Sequence, residues 1–332
     1  MSEQRKRLRA VASASIFQGG ICMSGYALSG KRIKKTLFKA LSQWQLYVLI
    51  LPAIIYLFLF NYMPMYGVQI AFKDFRASKG ILGSKWVGLK HFIKFINYPY
   101  FWKIIRNTVT LSGYKIILFP LPLILAMMLN EVSNVRFKKT AQMITYAPHF
   151  VSTVVLCSMV TLFFGRANGL VNNIREMFGY ERFAYLESTD AFKHIHVWSG
   201  EWQNIGWNTI IYVSALAGVS MEQIEAAKID GASRIQIILH VNFPTILPTV
   251  IIMLIMSCGN ILSVGFEKIF LLQNPLNLDA SQVISTYVYQ LGMENGQYSY
   301  SSAIGLFNTV INVIFVLAVN AISRRVSEIS LW

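Results

Sequence analysis

Residues 220–244 read SMEQIEAAKIDGASRIQIILHVNFP. Ser220 and Gln223 stand at capping-box spacing, which predicts a short helix starting there. Gly231 stands where that helix would end and supplies a left-handed cap without steric cost. A second helix then runs toward Pro244. Ala226 and Ala227 carry little side-chain bulk, so another protein surface can approach closely. The segment, with charges at Glu222, Glu225, Lys228, Asp230 and Arg234, lies between two long uncharged stretches. It reads as a helix–turn–helix knob shaped for a partner's groove.

Those uncharged stretches belong to a set. The chain has 332 residues, of which 55% are hydrophobic and only 14% charged; its mean hydropathy is +0.48. Soluble domains carry about 25% charged residues, so an ordinary soluble enzyme and a disordered chain are both excluded. A bilayer-spanning helix needs roughly 20 mostly apolar residues. Six segments qualify: 45–72, 107–130, 140–165, 202–221, 245–266 and 301–323. The expected fold class is therefore all-α and integral to a membrane. The knob, 220–244, joins the fourth and fifth spans within a transmembrane domain 104–323. Residues 1–44 form a basic tail, 73–103 a basic outer loop, and 324–332 a short C-terminal tail. Residues 10–30 are also uncharged, but they are crowded with Ser and Gly and read as part of the tail. Three cysteines, Cys22, Cys157 and Cys258, cannot make a disulfide framework.

The net charge of +15 is unevenly placed. The tail holds nine Lys/Arg and one acid, and 73–106 holds eight Lys/Arg and Asp74. The tail before the first span usually sets orientation, so both termini are expected in the cytoplasm. The outer loop breaks the positive-inside rule. Its aromatics (Trp86, Phe92, Phe95, Tyr98, Trp102) interleave with Lys85, Lys90 and Lys94, as in a segment lying along headgroups. Steering an acidic binding partner is the second explanation of the charge, and attracting an acidic saccharide the third. Nucleic-acid binding, the other reading of a basic chain, does not need six apolar runs.

Catalytic chemistry finds no foothold. Residues 25–31, GYALSGK, have the spacing of a phosphate loop, but Arg32 follows where Ser or Thr is required. His194 and His196 with Glu201 invite a metal reading, yet an i,i+2 pair does not share a helix face. Polar groups inside spans are costly in lipid and should face the interior. They include Asn107, Lys115, Asn204, Asn208, Asn260, Asn308 and Asn312. Some would line a sugar path, where hydroxyls need partners; others would serve as interhelical glue. Tyr114, Trp207 and Tyr212 are candidates to stack on sugar rings. A secondary transporter or channel would share the hydropathy but would carry intramembrane carboxylates, and no acid falls inside these spans. A membrane enzyme would need a convergent nucleophile or metal set.

The pattern Glu-Ala-Ala, three residues, Gly, nine residues, Val-x-Phe-Pro in 225–244 resembles the "EAA" loop of permeases in binding-protein-dependent ABC importers. Val241 and Phe243 stand where that family favours Ile and Leu. Residues 61–67 (NYMPMYG), 71–75 (AFKDF), 86–92 (WVGLKHF), 130–131 (NE), 147–150 (APHF), 205–207 (IGW), 286–289 (TYVY) and 331–332 (LW) are similar to the carbohydrate-uptake branch. The likeness covers about residues 40 to 332 and is closest to permeases for complex oligosaccharides, uronate types among them. The resemblance implies a type I importer fold and a multi-pass chain in a bacterial cytoplasmic membrane. It implies as partners a second, usually non-identical permease, two ATPase subunits, an extracytoplasmic solute-binding protein and an oligosaccharide substrate. The chain itself would be non-catalytic and hold no cofactor, ATP and magnesium being bound by the ATPases. Glu225, Ala226, Ala227, Asp230, Gly231, Arg234 and Pro244 would carry the ATPase-coupling role. Asn107, Asn204, Asn208, Tyr212 and Asn260 are the candidates for the translocation path.

Overall fold

The computed structural model describes residues 44–259, 262 and 264–327, which are helical apart from one two-stranded hairpin and the connections. Residues 1–43 of the expected N-terminal tail, with Cys22 and the 25–31 stretch, residues 328–332 of the expected C-terminal tail, and Asn260 lie outside the described residues, whereas 324–327 continue the last helix. The chain divides into two units, 1–66 and 67–332.

The first unit contributes α1, Trp44–Leu57, an apolar helix with no buried residue. A helix hydrophobic all round is suited to lipid or another subunit. Helical conformation continues through a π turn, Phe58–Tyr62, and a 3-10 stretch, Met63–Phe72. Pro64 explains the change of winding: it has no N–H to bond the Phe60 carbonyl.

The second unit opens with the hairpin β1, Lys73–Arg76, and β2, Ser84–Trp86, paired antiparallel with Lys73 opposite Trp86. Phe72 stacks on Trp86 at 5.6 Å. Helix α2, Lys90–Ile96, follows. Then come α3, Phe101–Leu118, and α4, Pro120–Glu131. Next are α5, Val135–Tyr146; α6, Thr153–Phe164; α7, Leu170–Met177; α8, Thr189–Leu216; and α9, Met221–Ile229. The chain closes with α10, Arg234–Gly259; α11, Phe266–Leu272; α12, Ile284–Tyr289; and α13, Tyr298–Ser327.

Among the described residues, four helical runs are long and apolar enough to cross a membrane: Trp44–Phe72, Phe101–Glu131, Arg234–Gly259 and Tyr298–Arg325. The expected third span, 140–165, is not one straight helix. Val135–Phe150 and Thr153–Phe164 meet at 98°. Pro148 lies in a 3-10 turn that ends the first piece, and Ser152 caps the second by accepting from the Val155 amide at 3.3 Å. Counted as one broken span, the pair makes a fifth crossing. The expected fourth segment, 202–221, occupies the second half of α8, which stops at Leu216. Asp190, Lys193 and Glu201 burden the first half of that helix.

Helices in lipid associate through close packing rather than water exclusion. Helix α8 supplies the centre of that packing. Tyr212 and Leu216 meet Leu123 and Ala126 of α4 and Ile246 and Val250 of α10 in one buried cluster. Where α8 crosses α5, a Cβ on Gly206 would lie 2.1 Å from the Thr145 carbonyl oxygen, so only glycine permits this approach.

The basic outer loop is a folded part of this unit. Phe95, 1% exposed, packs with Phe101, Tyr287, Tyr300 and Ile304, and the Phe75 amide donates to Ser299 Oγ at 2.8 Å. The expected free stripe along headgroups is corrected to this extent: Phe95 faces protein. Asp74 ties the hairpin to α2 through Lys90 at 2.8 Å. That hydrogen bond holds the Asp74 carboxyl below the usual carboxylate range.

Candidate functional site

Two places in the second unit bring functional residue types together. The first is the knob. Helix α9 starts at Met221, but Ser220 makes no capping bond. The S-x-x-Q spacing recurs at Ser233 and Gln236, and there the box closes: Gln236 N donates to Ser233 Oγ at 3.4 Å, and Ser233 N donates to Gln236 Oε1 at 2.7 Å. Ser233 has ψ 161°, whereas Ser220 has 123°. Gly231 takes φ 80°. The Gly231 amide donates to the Lys228 carbonyl and the Ala232 amide to the Ala227 carbonyl, the paired bonds of a Schellman cap.

Glu225, Ala226, Asp230, Gly231 and Arg234 are exposed, Ala227 is half-buried, and Ile229 is 86% exposed. Apolar and charged groups thus share an uncovered tip, as protein-binding surfaces do. The second helix and the fifth span, expected as separate pieces, are one element. Pro244 sits inside it after a π turn, Ile238–Asn242, and is exposed. Pro244 has no N–H for the His240 carbonyl, so the winding loosens there.

The second place is a cavity of about 590 Å³ walled by α3, α4, the start of α6, α8, α10 and α11. Asn204, Asn208 and Tyr212 line it. Asn204 is fixed by its own bonds, to Gly200 O at 2.9 Å and His149 Nδ1 at 3.0 Å. Trp207 stacks on His149 at 4.3 Å. Asn107 is elsewhere: its amide donates to the carbonyls of Asp279 and Gln282 at 2.9 and 3.1 Å, the glue role. Asn312 likewise accepts from the Leu262 amide at 3.2 Å. Tyr114 bonds His194 and Trp198 on an exposed face. His194 and His196 diverge, His194 to that face and His196 into the core, where it is 2% exposed.

The same cavity holds two amines. Lys115 Nζ donates to Val264 O at 3.2 Å, and Lys268 Nζ to His196 O at 2.6 Å. Lys268 is buried at 8% exposure. Burial first, and the charge of Lys115 second, push its amine down to about 7. Neither lysine has a carboxylate within ion-pair distance among the described residues. Sequence reasoning had marked Lys115 as a polar group within a span. Lys268, outside the apolar runs, carried no signal.

The family of "Binding-protein-dependent transport system inner membrane component" proteins matches residues 119–328. The chain is 39% identical to the polygalacturonan/rhamnogalacturonan transport system permease protein YteP of Bacillus subtilis (strain 168), over 89% of this chain and 92% of that one. Among solved structures it is similar to a bacterial ABC transporter involved in the import of the acidic polysaccharide alginate. The TM-score is 0.81 at 37% identity, covering 88% of this chain and 99% of the other. A second structure of such a transporter, in complex with alginate pentasaccharide-bound periplasmic protein, matches with TM-score 0.81 at 36% identity, covering 89% and 99%.

Proposed function

The chain belongs to the family of binding-protein-dependent transport system inner membrane components, and on that premise we propose that it carries an acidic oligosaccharide into the bacterial cytoplasm as one permease of an ATP-driven importer. The fold is that of a type I ABC importer permease, and the function class is sugar transport. The acidic cargo is supported by the relatives: polygalacturonan is a polymer of galacturonic acid, and alginate is an acidic polysaccharide.

The exposed, Gly231-capped knob carries the coupling part of the reading. A rigid tip on α9, continuous with the membrane helix α10, converts motion of a bound partner into tilt of a span. In this reading ATP and magnesium bind to partner ATPases, whose closure moves the knob. Glu225 is the polar contact, and Ala226 with Ala227 the packing surface. Asp230, Gly231 and Arg234 shape the turn. Pro244 marks the junction with the span. A second permease and a solute-binding protein complete the assembly.

The test is reconstitution of the assembled transporter in lipid vesicles with its binding protein. Glu225→Lys and Gly231→Pro are expected to abolish substrate-stimulated ATP hydrolysis while the permease remains inserted. Unchanged uptake in both variants would remove the coupling assignment. Uptake of neutral but not uronic oligosaccharides would remove the cargo assignment.

A further inference from the structure

Lys115 and Lys268 approach one cavity from opposite ends of the sequence. Lys268 senses the charge of Lys115, and Lys115 that of Glu201. Two cations facing one cavity repel, and Lys268, the buried one of the pair, also forfeits hydration. Such groups normally meet an acid. Here the polar partner that each one reaches is a backbone carbonyl, of Val264 and of His196. Glu201 and Glu267 line the same cavity, yet neither stands within 4 Å of an amine.

Two further observations bear on this space. The imidazole of His196, 2% exposed, lines the cavity, and neither ring nitrogen makes a well-formed hydrogen bond; the Val264 carbonyl is the backbone group facing it. A buried polar side chain without a good partner marks a place where a ligand or water is missing. Gly200 also belongs to the wall: a Cβ there would come within 3.0 Å of Lys268 Nζ. Glycine thus leaves the room in which the amine lies against α8.

We propose that Lys115 and Lys268 form a carboxylate-reading site in this chain, at which the uronate group of an acidic oligosaccharide is held during its passage. The site rests on the acidic-cargo reading above and adds the groups that would recognise it. A carboxylate entering between the amines accepts charge-assisted bonds from both, replaces weak carbonyl contacts, and relieves their mutual repulsion. Asn208, on the same wall, remains for sugar hydroxyls. A neutral sugar offers the amines no such exchange, so the site discriminates by charge rather than by size.

The experiment uses the whole transporter with its binding protein in vesicles, and two probes of equal length: oligogalacturonate, and the same oligomer with each carboxyl reduced to a primary alcohol. Binding of both probes to the binding protein alone is measured separately, so that delivery is known. In Lys115→Met the half-saturating oligogalacturonate concentration for uptake is expected to rise about tenfold or more, with uptake of the reduced probe unchanged and Lys115→Arg restoring most of the loss. Lys268→Met is expected to act in the same direction. Because Lys268 is buried and its replacement also perturbs packing, Lys115 alone decides. Equal losses for both probes, or none for oligogalacturonate, overturn the site while leaving an acidic cargo standing. A wild-type transporter that takes only the reduced probe overturns cargo and site together.

Discussion

A single buried lysine makes pH a reporter of the cavity. Lys268 is pushed down to about 7 from the ordinary 10.5. Between those values the unfolded chain binds a proton that the folded chain does not, so stability rises with pH across that window. Below about pH 7 both states are protonated, and the cost of burying the charge is fully present. The groups that face this amine are Lys115 on α3, His196 on α8, Cys157 on α6 and Glu267 beside it on α11. None of the carboxylates among them reaches it. Replacing Lys268 with methionine removes the titration. Thermal unfolding of the assembled transporter is expected to show wild type gaining on Lys268→Met between pH 7 and 9.5. Parallel curves for the two proteins would mean that Lys268 keeps its ordinary protonation.

At the scale of the element, Pro244 decides how the knob is joined to the membrane. The π turn Ile238–Asn242 precedes it as Phe58–Tyr62 precedes Pro64, so the same missing N–H produces the same local unwinding twice. Returning one residue to α winding rotates everything beyond it by about 100°. Pro244→Ala restores the donor for the His240 carbonyl and frees α10 to take that winding. The variant is expected to unfold at a temperature no lower than wild type, yet to lose at least half of its substrate-stimulated ATP hydrolysis. Unaltered stimulation would show that the turn plays no part in aiming the knob. Pro244 and Gly231 were legible in the sequence because a proline or a left-handed glycine acts on its own neighbours. The apolar runs were legible for a similar reason, since hydropathy is a sum over adjacent residues. The break at residues 151–152 escaped because apolar residues continue on both sides and only Pro148 marks it. The helix start after Ser220 was legible, but which S-x-x-Q string closes its side-chain bonds was not, and only Ser233 with Gln236 does so. Phe95 could not be assigned to protein or headgroups, since an amphipathic pattern does not say what covers it. Lys268 and His196 acquire meaning only when the fold places them around one space.

For the whole molecule, the cavity indicates what the chain lacks. Its wall exposes Lys115, Asn208 and Glu267. Exposed apolar residues on a membrane helix are satisfied by lipid, but charged and amide groups are not; each costs several kcal/mol in hydrocarbon unless water or protein meets it. The second permease of the assembly is the subunit suited to close this wall, leaving a wet passage between the two. Helix α9 presents the opposite case, since its uncovered tip is polar enough to remain in water. Loss of the second permease should therefore destabilise the membrane part far more than loss of the ATPases. In cells expressing this chain with and without each partner, its lifetime after synthesis is expected to fall several-fold when the second permease is missing. It should fall much less when only the ATPases are missing. Equal lifetimes in all three conditions would mean that the wall is satisfied within this chain, and that the polar side of the cavity is not a subunit boundary.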